Sequence, residues 1–505
     1  MTVLLDGSTL TLESIAAIAH DGARVALSPD AIARVRASRA VVEPHAGAGR
    51  AVYGINTGFG ALADVAIAPD QLAELQLNLI RSHAAGVGEP LPTPAVRALT
   101  ALRANVLAKG YSGIRLETLD LLIALVNAGI HPRVPSRGSV GASGDLAPLA
   151  HLALVVVGEG EALVDGERLA GADALARAGL RPATLAPKEG LALINGTQAS
   201  AAVLALAVLA AERLARAADV AAALAIDGLR GSAHPFEARI HAARPVPGQA
   251  ASAANLWTLL QDSAINRSHE HCGKVQDAYA LRCAPQVHGS AREAAAFARR
   301  LAEIEANSAT DNPMVFADHG DIVSGGNFHG APVALAADTL GIGVAQLATI
   351  SERRTDRLLT AHESGLPAFL VRDSGLNSGL MMAHVTAAAL ASEIKILAHP
   401  AAADTIPTSA GREDHVSMSM GAALKADRIV ALAIDIVAIE ILAACQAIDL
   451  LAPLATSPPL AAVHAAVRSV VPTLDRDRPP APDIDAIAAL IRSGAIERAC
   501  GSELR

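Results

Sequence analysis

Hydrophobic and polar residues alternate along this chain mostly with the spacing of an α-helix. Runs rich in alanine and leucine carry charges at helical intervals, which places the apolar side chains on one helix face. Strand-like alternation is short and local, as at residues 51–55 and 321–324. The pattern therefore predicts a mainly α protein. The long helices are predicted at residues 94–108, 116–127, 198–225, 291–306, 333–354, 383–398 and 422–447.

Segments rich in Gly, Asn, Ser and Thr lie between these helices. They are residues 53–60, 82–88, 138–144, 195–197, 325–329 and 408–417. Connecting segments often carry binding and catalytic residues, so the chemistry is expected there. We place a domain boundary near residue 195, which divides a mixed N-terminal part (1–195) from a helical part (196–505).

Composition narrows the class of protein. Of the 505 residues, 52% are hydrophobic and 18% are charged, below the roughly 25% charged residues of an average globular protein. Many helices must therefore be buried against other protein, which favours a helical bundle and an oligomer. The net charge of −9 is spread along the chain, and only 2% of the residues are aromatic. Both features argue against nucleic-acid binding.

Residues 1–26 lack the basic and apolar regions of a signal peptide. The apolar stretch 198–211 is shorter than the ~20 residues of a membrane span. Four cysteines without CxxC spacing are typical of reduced cytosolic thiols. We expect a soluble cytoplasmic protein with no membrane contact and no disulfide. The run His269-Glu270-His271-Cys272 contains metal-binding residue types, but histidines two positions apart diverge on a helix, so no zinc site is expected.

Residues 138–151, Gly-Ser-Val-Gly-Ala-Ser-Gly-Asp-Leu-Ala-Pro-Leu-Ala-His, hold the strongest chemical signal. The amide nitrogen of Gly144 can attack the carbonyl carbon of Ala142, because neither residue has bulk to block the approach. Loss of water then closes a ring, and dehydration of Ser143 leaves an exocyclic methylene conjugated to the ring carbonyl. The product is a carbon electrophile, which natural side chains lack.

Asp145 occupies the N-cap position of a helix predicted at residues 146–157, with Pro148 in its first turn. The ring would then face a helix N-terminus, whose dipole and free N–H groups stabilise negative charge. The alternative is an ordinary glycine-rich turn or a phosphate cradle. A phosphate loop normally has Lys beside its Ser, whereas Asp145 follows Gly144 here.

The fourteen residues together closely resemble the signature of the ammonia-lyases that carry the methylidene-imidazolone (MIO) group. The resemblance extends from about residue 10 to residue 485. The other matching stretches are YGINTGFG at 53–60, SHAAG at 82–86, LINGTQ at 193–198, QDAYALRC at 276–283, GGNFH at 325–329 and EDHVSM at 413–418. The family resemblance implies removal of ammonia from an amino acid, with MIO formed from Ala142, Ser143 and Gly144 and no external cofactor.

The same resemblance implies a fold and an assembly. The expected fold is a long central helical bundle of the fumarase/aspartase-like type, with a smaller mixed N-terminal part that carries the MIO loop. The expected assembly is a homotetramer in which loops of three subunits build each active site. Its partner is a small-molecule amino acid.

Elimination of ammonia needs an electrophile, a base for the β-proton and a clamp for the substrate carboxylate. By resemblance Tyr53 is the base, which requires its phenol pKa to be lowered from about 10 by positive dipoles. Gln276, Tyr279 and Arg282 recur at i, i+3 and i+6, so they would share one face of a helical turn closed off by Pro285. The fork of Arg282 suits a carboxylate clamp. By resemblance, Tyr279 and Gln276 hold the substrate and the ring in register.

Two further residues come from connecting segments. Asn195 precedes Gly196 and Thr197, so it could simply form a turn and cap the next helix. The resemblance adds a side-chain amide directed at the ring or the substrate. By the same resemblance, Phe328 presses on the plane of the ring.

His83 and Glu413 bear on the substrate. A neutral imidazole offers one donor and one acceptor, which a histidine and a carboxylate can satisfy together. Family members that act on phenylalanine or tyrosine usually have Gln at the position of Glu413, so the match is best with the branch that converts L-histidine to trans-urocanate. Gly411-Arg412 departs from that pattern, and a cation beside Glu413 keeps other outcomes open. The alternatives are tyrosine, a modified histidine, a 2,3-aminomutase reaction, or an inactive helical scaffold.

Overall fold

Most of the chain is helical in the computed structural model, which describes residues 1–46, 51–273, 275–501 and 503–505. Every long helix predicted from the hydrophobic pattern is present, with ends that differ by several residues at most. The prediction of a mainly α protein is confirmed. The helices are α1 (Leu12–His20), α2 (Pro29–Ala46), α3 (Leu72–His83), α4 (Thr93–Ala108), α5 (Leu116–Asn127), α6 (Leu146–Val156), α7 (Gly171–Arg177), α8 (Glu189–Ile194), α9 (Gln198–Gly228), α10 (Ala238–Ala242), α11 (Pro247–Leu260), α12 (Ala264–Arg267), α13 (Tyr279–Arg282), α14 (Ala284–Ala306), α15 (Ala331–Leu359), α16 (Ala361–Ser364), α17 (Met381–Leu397), α18 (Ser419–Leu450), α19 (Pro458–Arg468), α20 (Ala481–Arg492) and α21 (Ala495–Ala499).

The strands are short and form small separate sheets. They are β1 (Thr2–Leu5), β2 (Arg24–Leu27), β3 (Val87–Pro90), β4 (Ile130–Pro132), β5 (Pro135–Arg137), β6 (Glu161–Val164), β7 (Glu167–Ala170), β8 (Met314–Phe316) and β9 (Asp321–Val323). The pair β1–β2 is parallel. The pairs β3–β5 and β8–β9 and the three-stranded sheet β4-β6-β7 are antiparallel.

One of the two strand predictions is right. Strand β9 confirms the strand predicted at residues 321–324. Residues 51–55 form a turn instead, in which the Val52 carbonyl accepts a hydrogen bond of 3.1 Å from the Ile55 N–H. Gly54 in this turn has a φ of +80°, which an extended strand does not tolerate and which glycine adopts at little cost.

The chain divides into two compact units. The first contains Met1–Ala207, Ala298–Asp338 and Pro400–Leu424, and includes all the strands described above. The second contains the intervening segments Val208–Phe297 and Thr339–His399, and Lys425–Arg505. This division differs from the predicted boundary near residue 195. The first unit continues past residue 195 into α9 as far as Ala207, and two later segments also belong to it.

Two helices, α15 and α18, are long and apolar enough to cross a membrane by length and composition alone. Protein covers 67% of the apolar window in α15 and 89% of that in α18. Core helices of soluble proteins pass the same test, and burial of this extent accounts for the composition of both. The apolar stretch considered from the sequence, residues 198–211, lies in α9 and is not part of either helix.

The histidine-rich run beyond α12 does not continue that helix. Residues 269–272 form turns, and His269 Nδ1 lies 3.0 Å from the Ile265 carbonyl oxygen. Among the residues that the structure describes, no group of three or more His, Cys, Asp or Glu is placed to hold a metal ion. All four cysteines are unpaired thiols, and burial raises the pKa of Cys445 and of Cys500 to about 12.

Candidate active site

The Ala142-Ser143-Gly144 segment lies directly against the segment that carries Asn195. Gly144 and Gly196 form an isolated parallel bridge, and the Asp145 N–H donates to the Gly196 carbonyl at 2.7 Å. Gly144 has a φ of +72°, and a Cβ at this position would lie 2.3 Å from the Gly196 carbonyl oxygen. Only glycine fits here, which keeps the nitrogen of Gly144 unhindered.

The residues before the tripeptide are held by the segment around Ser417. The Ser417 hydroxyl donates to the Gly141 carbonyl at 2.9 Å, and the Gly330 N–H donates to the same oxygen at 3.0 Å. The Met418 N–H donates to the Val140 carbonyl at 2.7 Å. Three separate segments of the first unit therefore meet at the backbone that leads into Ala142.

Ser143 contacts two of the residues singled out from the sequence. Its hydroxyl donates to Glu413 Oε1 at 2.8 Å, and its carbonyl oxygen accepts from Asn195 Nδ2 at 2.8 Å. The second oxygen of Glu413 accepts from the Thr408 hydroxyl at 2.6 Å. The amide of Asn195 is thus directed at the loop, as the resemblance implied. Asn195 does not cap α9 with its side chain in this arrangement.

Asp145 occupies the N-cap position of α6, but its carboxylate does not cap that helix. It accepts instead from the backbone N–H and the hydroxyl of Ser200, both at 2.8 Å, in the first turn of α9, and from the Ser139 hydroxyl at 2.8 Å. Burial raises the pKa of Asp145, and the bonds from Ser200 and Ser139 oppose that rise. The predicted N-cap position is confirmed, but the side chain binds the neighbouring helix N-terminus, where the same dipole attraction operates.

Tyr53 is partly buried, and its phenol oxygen accepts a hydrogen bond of 3.3 Å from the Gly60 N–H. Burial raises its pKa, the bond from Gly60 lowers it in part, and the charges of Glu413 and Asp311 raise it further. Within one chain the pKa shift is therefore opposite to the one that a tyrosine base requires.

His83 is the last residue of α3, where its Nδ1 lies 2.8 Å from the Leu79 carbonyl oxygen. A carbonyl oxygen can only accept, so Nδ1 carries the proton and Nε2 is the acceptor nitrogen of the neutral ring. Burial lowers the pKa of His83 and favours this neutral form, although the charge of Glu413 opposes the shift. His83 and Glu413 are thus close enough to influence each other.

Arg412 does not face Glu413. Its guanidinium lies 3.7 Å from the Asp64 carboxylate, and its side chain is 61% exposed. The Glu413 carboxylate points the other way, to Ser143 and Thr408. From the sequence, Arg412 could have neutralised Glu413 and so changed the substrate. In the structure Arg412 does not neutralise this carboxylate.

Phe328 lies partly buried in the connection between β9 and α15. Its neighbour His329 binds the segment that carries Glu413, with Nε2 at 3.1 Å from the His415 carbonyl oxygen. The His329 and His415 rings are stacked, with centroids 5.8 Å apart and planes 6° from parallel. Sequence reasoning assigned no role to His329, His415 or Thr408. All three fall inside segments whose polar composition had marked them, but composition does not reveal pairing.

Tyr279, Gln276 and Arg282 belong to the second unit, whereas the other candidate residues belong to the first. Helix α13 begins at Tyr279, so Gln276 lies before it, and the prediction of one shared helical face is wrong for Gln276. Pro285 is in the first turn of α14 and does not end α13. A proline fits there because the N–H it lacks has no helical partner.

Tyr279 and Arg282 do share a face. The Arg282 guanidinium lies 4.6 Å from the centre of the Tyr279 ring, and Arg282 Nε donates to the Asp277 carbonyl at 2.9 Å. Tyr279 is 70% exposed in the chain. A ring that is this exposed to solvent, with a guanidinium over one face, can contact another molecule.

Sequence comparison and the shared fold define the class. The family model described as aromatic amino acid lyase matches residues 10–469, so the chain belongs to the aromatic amino acid lyases and is a carbon–nitrogen lyase. The family predicted from the motifs is confirmed.

Particular relatives agree with the class. The chain is 58% identical to a histidine ammonia-lyase from Anaeromyxobacter sp. (strain K), over 98% of this chain and 99% of that protein. A crystal structure of histidine ammonia-lyase from Trypanosoma cruzi is 48% identical with a TM-score of 0.92, and the match covers 99% of this chain and 95% of that one. Tyrosine aminomutase from Streptomyces globisporus is 39% identical with a TM-score of 0.95 over 100% of both chains. These matches confirm the predicted fold class.

Proposed function

We propose that this protein eliminates ammonia from L-histidine and releases trans-urocanate. The observation that carries the proposal is the position of Glu413, whose carboxylate binds Ser143 of the electrophile-forming loop and is not paired with Arg412. A carboxylate there accepts one N–H of the substrate imidazole. His83 Nε2 is an acceptor while Nδ1 donates to the Leu79 carbonyl, so it takes the second N–H of the imidazole in its protonated form. The similarity to histidine ammonia-lyases supports the same substrate.

The residues present fit an MIO group formed from Ala142, Ser143 and Gly144. Gly144 has no room for a side chain, and Asn195 Nδ2 donates to the Ser143 carbonyl. Asn195 Oδ1 is buried and has no hydrogen-bond partner among the described residues, so the amide can take a further donor when substrate binds. When formed, MIO supplies the carbon electrophile that turns the amino group into a leaving group. No external cofactor is required.

The side chains of the chain itself would then bind, orient and move protons. Asn195 stabilises negative charge that develops on the Ser143 carbonyl oxygen. His83 and Glu413 hold the imidazole ring, and Arg282 clamps the substrate carboxylate. Tyr53 takes the β-proton. In one chain, burial and the charges of Glu413 and Asp311 raise its pKa and the Gly60 N–H lowers it only in part, so this role needs positive charge brought by assembly.

Assembly is part of the proposal. A homotetramer with shared active sites accounts for the exposed Tyr279 and for the extensive apolar composition. Tyr279, Gln276 and Arg282 would serve the site of a neighbouring copy, with Phe328 against the ring. We place the protein in the cytoplasm. The alternatives that depended on a cation at Glu413 lose that support, because Arg412 faces Asp64.

The test is direct. Purified protein is incubated separately with L-histidine, tyrosine and a modified histidine, and the products are identified by absorbance in the urocanate band and by mass spectrometry. Urocanate and ammonia from histidine alone are expected. Intact mass reports the ring as a loss of two waters, and Ser143→Ala is the matched control that retains its full mass. A wild-type protein with unmodified mass and no product from histidine would overturn the proposal and favour an inactive scaffold.

A further inference from the structure

We propose that Arg103 is a positioning residue for this reaction, which fixes the backbone that directs the Asn195 amide onto the Ser143 carbonyl. The inference rests on the proposed function, because it concerns the same loop. Arg103 lies on α4 and is fully buried. Its guanidinium donates to the Asn195 carbonyl at 2.8 Å and to Gln198 Oε1 at 2.6 Å, and it also donates to the Ala192 carbonyl.

These three acceptors are neutral. Burial lowers the pKa of Arg103 to about 10, and the charge of Asp311 opposes the shift, so the guanidinium stays protonated at neutral pH. Asp311 itself is bound to the buried Lys188 ammonium at 2.9 Å. A cation buried among neutral acceptors is unfavourable compared with an apolar side chain of the same size. Its hydrogen bonds offset part of that cost and fix the groups that they reach.

The carbonyls that Arg103 binds belong to the segment that lies against the electrophile-forming loop. Asn195 donates to Ser143, and Gly196 accepts from Asp145. A Cβ on Gly196 would lie 2.5 Å from Arg103 Nη1 and 2.4 Å from Gln198 Oε1. The guanidinium therefore packs directly on the Gly196 backbone, and a change in its shape moves the backbone of Asn195.

Gln198 completes the support. Its Oε1 accepts from Arg103, and its Nε2 donates to the Thr310 hydroxyl at 2.7 Å, so its amide is oriented at both ends. The three hydrogen bonds of Arg103 described above go to Ala192, Asn195 and Gln198. They do not go to the electrophile-forming tripeptide at 142–144. Arg103 acts through Asn195, because the side-chain N–H of Asn195 must lie within hydrogen-bond distance of the Ser143 carbonyl oxygen, on which charge develops. A misplacement of about 1 Å in such a group lowers the rate by about 100-fold.

The test compares Arg103→Lys and Arg103→Met with the same substitutions at Arg97. Arg97 lies on the same helix and also donates to two backbone carbonyls, those of Ile18 at 2.7 Å and Val126 at 3.2 Å. Ring content is measured by intact mass, and kcat with L-histidine is normalised to ring content. Both Arg103 variants should lose ring content or lose about 100-fold in kcat, whereas the Arg97 variants stay within about twofold of wild type.

A double-mutant cycle with Asn195→Ala separates positioning from general damage. If Arg103 acts through Asn195, adding Arg103→Lys to Asn195→Ala lowers ring content and kcat little beyond Asn195→Ala alone. Multiplicative losses, or wild-type ring content and kcat in the Arg103 variants, would overturn the inference. If Arg103→Met does not fold, the lysine cycle decides by the same criteria. A wild-type protein without ring or activity would instead remove the proposed function, and this inference with it.

Discussion

The Ser143 hydroxyl donates to Glu413 Oε1 at 2.8 Å, across 270 positions of the chain. The two residues have different proposed roles, since Ser143 forms the electrophile and Glu413 selects the substrate. Ring formation removes the Ser143 hydroxyl, so this hydrogen bond ends when the electrophile is made. Oε1 can then accept from a substrate N–H, while Oε2 keeps its bond from Thr408. Maturation of the loop would thus also prepare the substrate pocket.

Replacing Glu413 with Gln should weaken recognition of histidine. The neutral amide can still accept from Ser143 before maturation, but it loses a hydrogen bond to a charged group, which contributes about 1.5–3 kcal/mol. We expect kcat/KM for histidine to fall by about 10- to 100-fold with normal ring content. The control is Arg412→Gln, because this exposed side chain faces Asp64 and should leave kcat/KM within about twofold. A change of substrate preference in the control would restore a role for Arg412.

Gly144→Ala should prevent ring closure. The substitution places a methyl group 2.3 Å from the Gly196 carbonyl oxygen and demands a φ of +72° from alanine. Gly129 is a matched control, because it has a φ of +68° and a methyl group added there would meet nothing within 4 Å. Intact mass should show no loss of water in Gly144→Ala and the full loss in Gly129→Ala. Activity in Gly144→Ala should fall at least about 1000-fold, more than removal of one hydrogen-bond donor costs.

His131 should make the protein sensitive to mild acid. Burial and the nearby Arg97 lower the pKa of this residue on β4 from 6.5 to about 4. Below about pH 6.5 this histidine is protonated in the unfolded chain but still neutral in the folded chain. The free energy of unfolding therefore decreases as the pH falls from about 6.5 toward 4. His131→Gln should therefore show a smaller drop in melting temperature between neutral and acidic buffer than wild type. The exposed His20 provides the control, and equal drops in His131→Gln and wild type would contradict the assignment.

The buried pair of Arg354 and Glu440 should be important for folding of the second unit. Arg354 Nε and Nη2 donate to the Glu440 carboxylate at 2.5 and 2.9 Å, and both side chains are fully buried. Glu440→Gln leaves the guanidinium without its counter-charge, which should lower the free energy of unfolding by about 3–5 kcal/mol in urea titrations. Glu393→Gln in the exposed pair with Arg428 should cost about 0–1 kcal/mol. Similar losses in the two variants would argue against this account.

Prediction succeeded where the information is local. Helices such as α5 follow from apolar spacing within a dozen residues, and α5 begins and ends at the predicted residues. It failed at residues 51–55, where apolar residues suggested a strand but Gly54 produces a turn. It also failed for Gln276, because i, i+3, i+6 spacing does not reveal where α13 begins.

The candidate electrophile could be read from adjacent residues, because ring closure joins atoms of three consecutive residues and requires only that Ala142 and Gly144 be small. The hydrogen bonds around it could not. Glu413 faces Ser143, Arg412 turns to Asp64, and Asp145 binds the first turn of α9. Each of these contacts joins segments far apart in the chain, and backbone geometry and packing select one partner from several with the same chemistry. The electrophile is thus a property of local covalent structure, whereas the pocket around it is a product of folding.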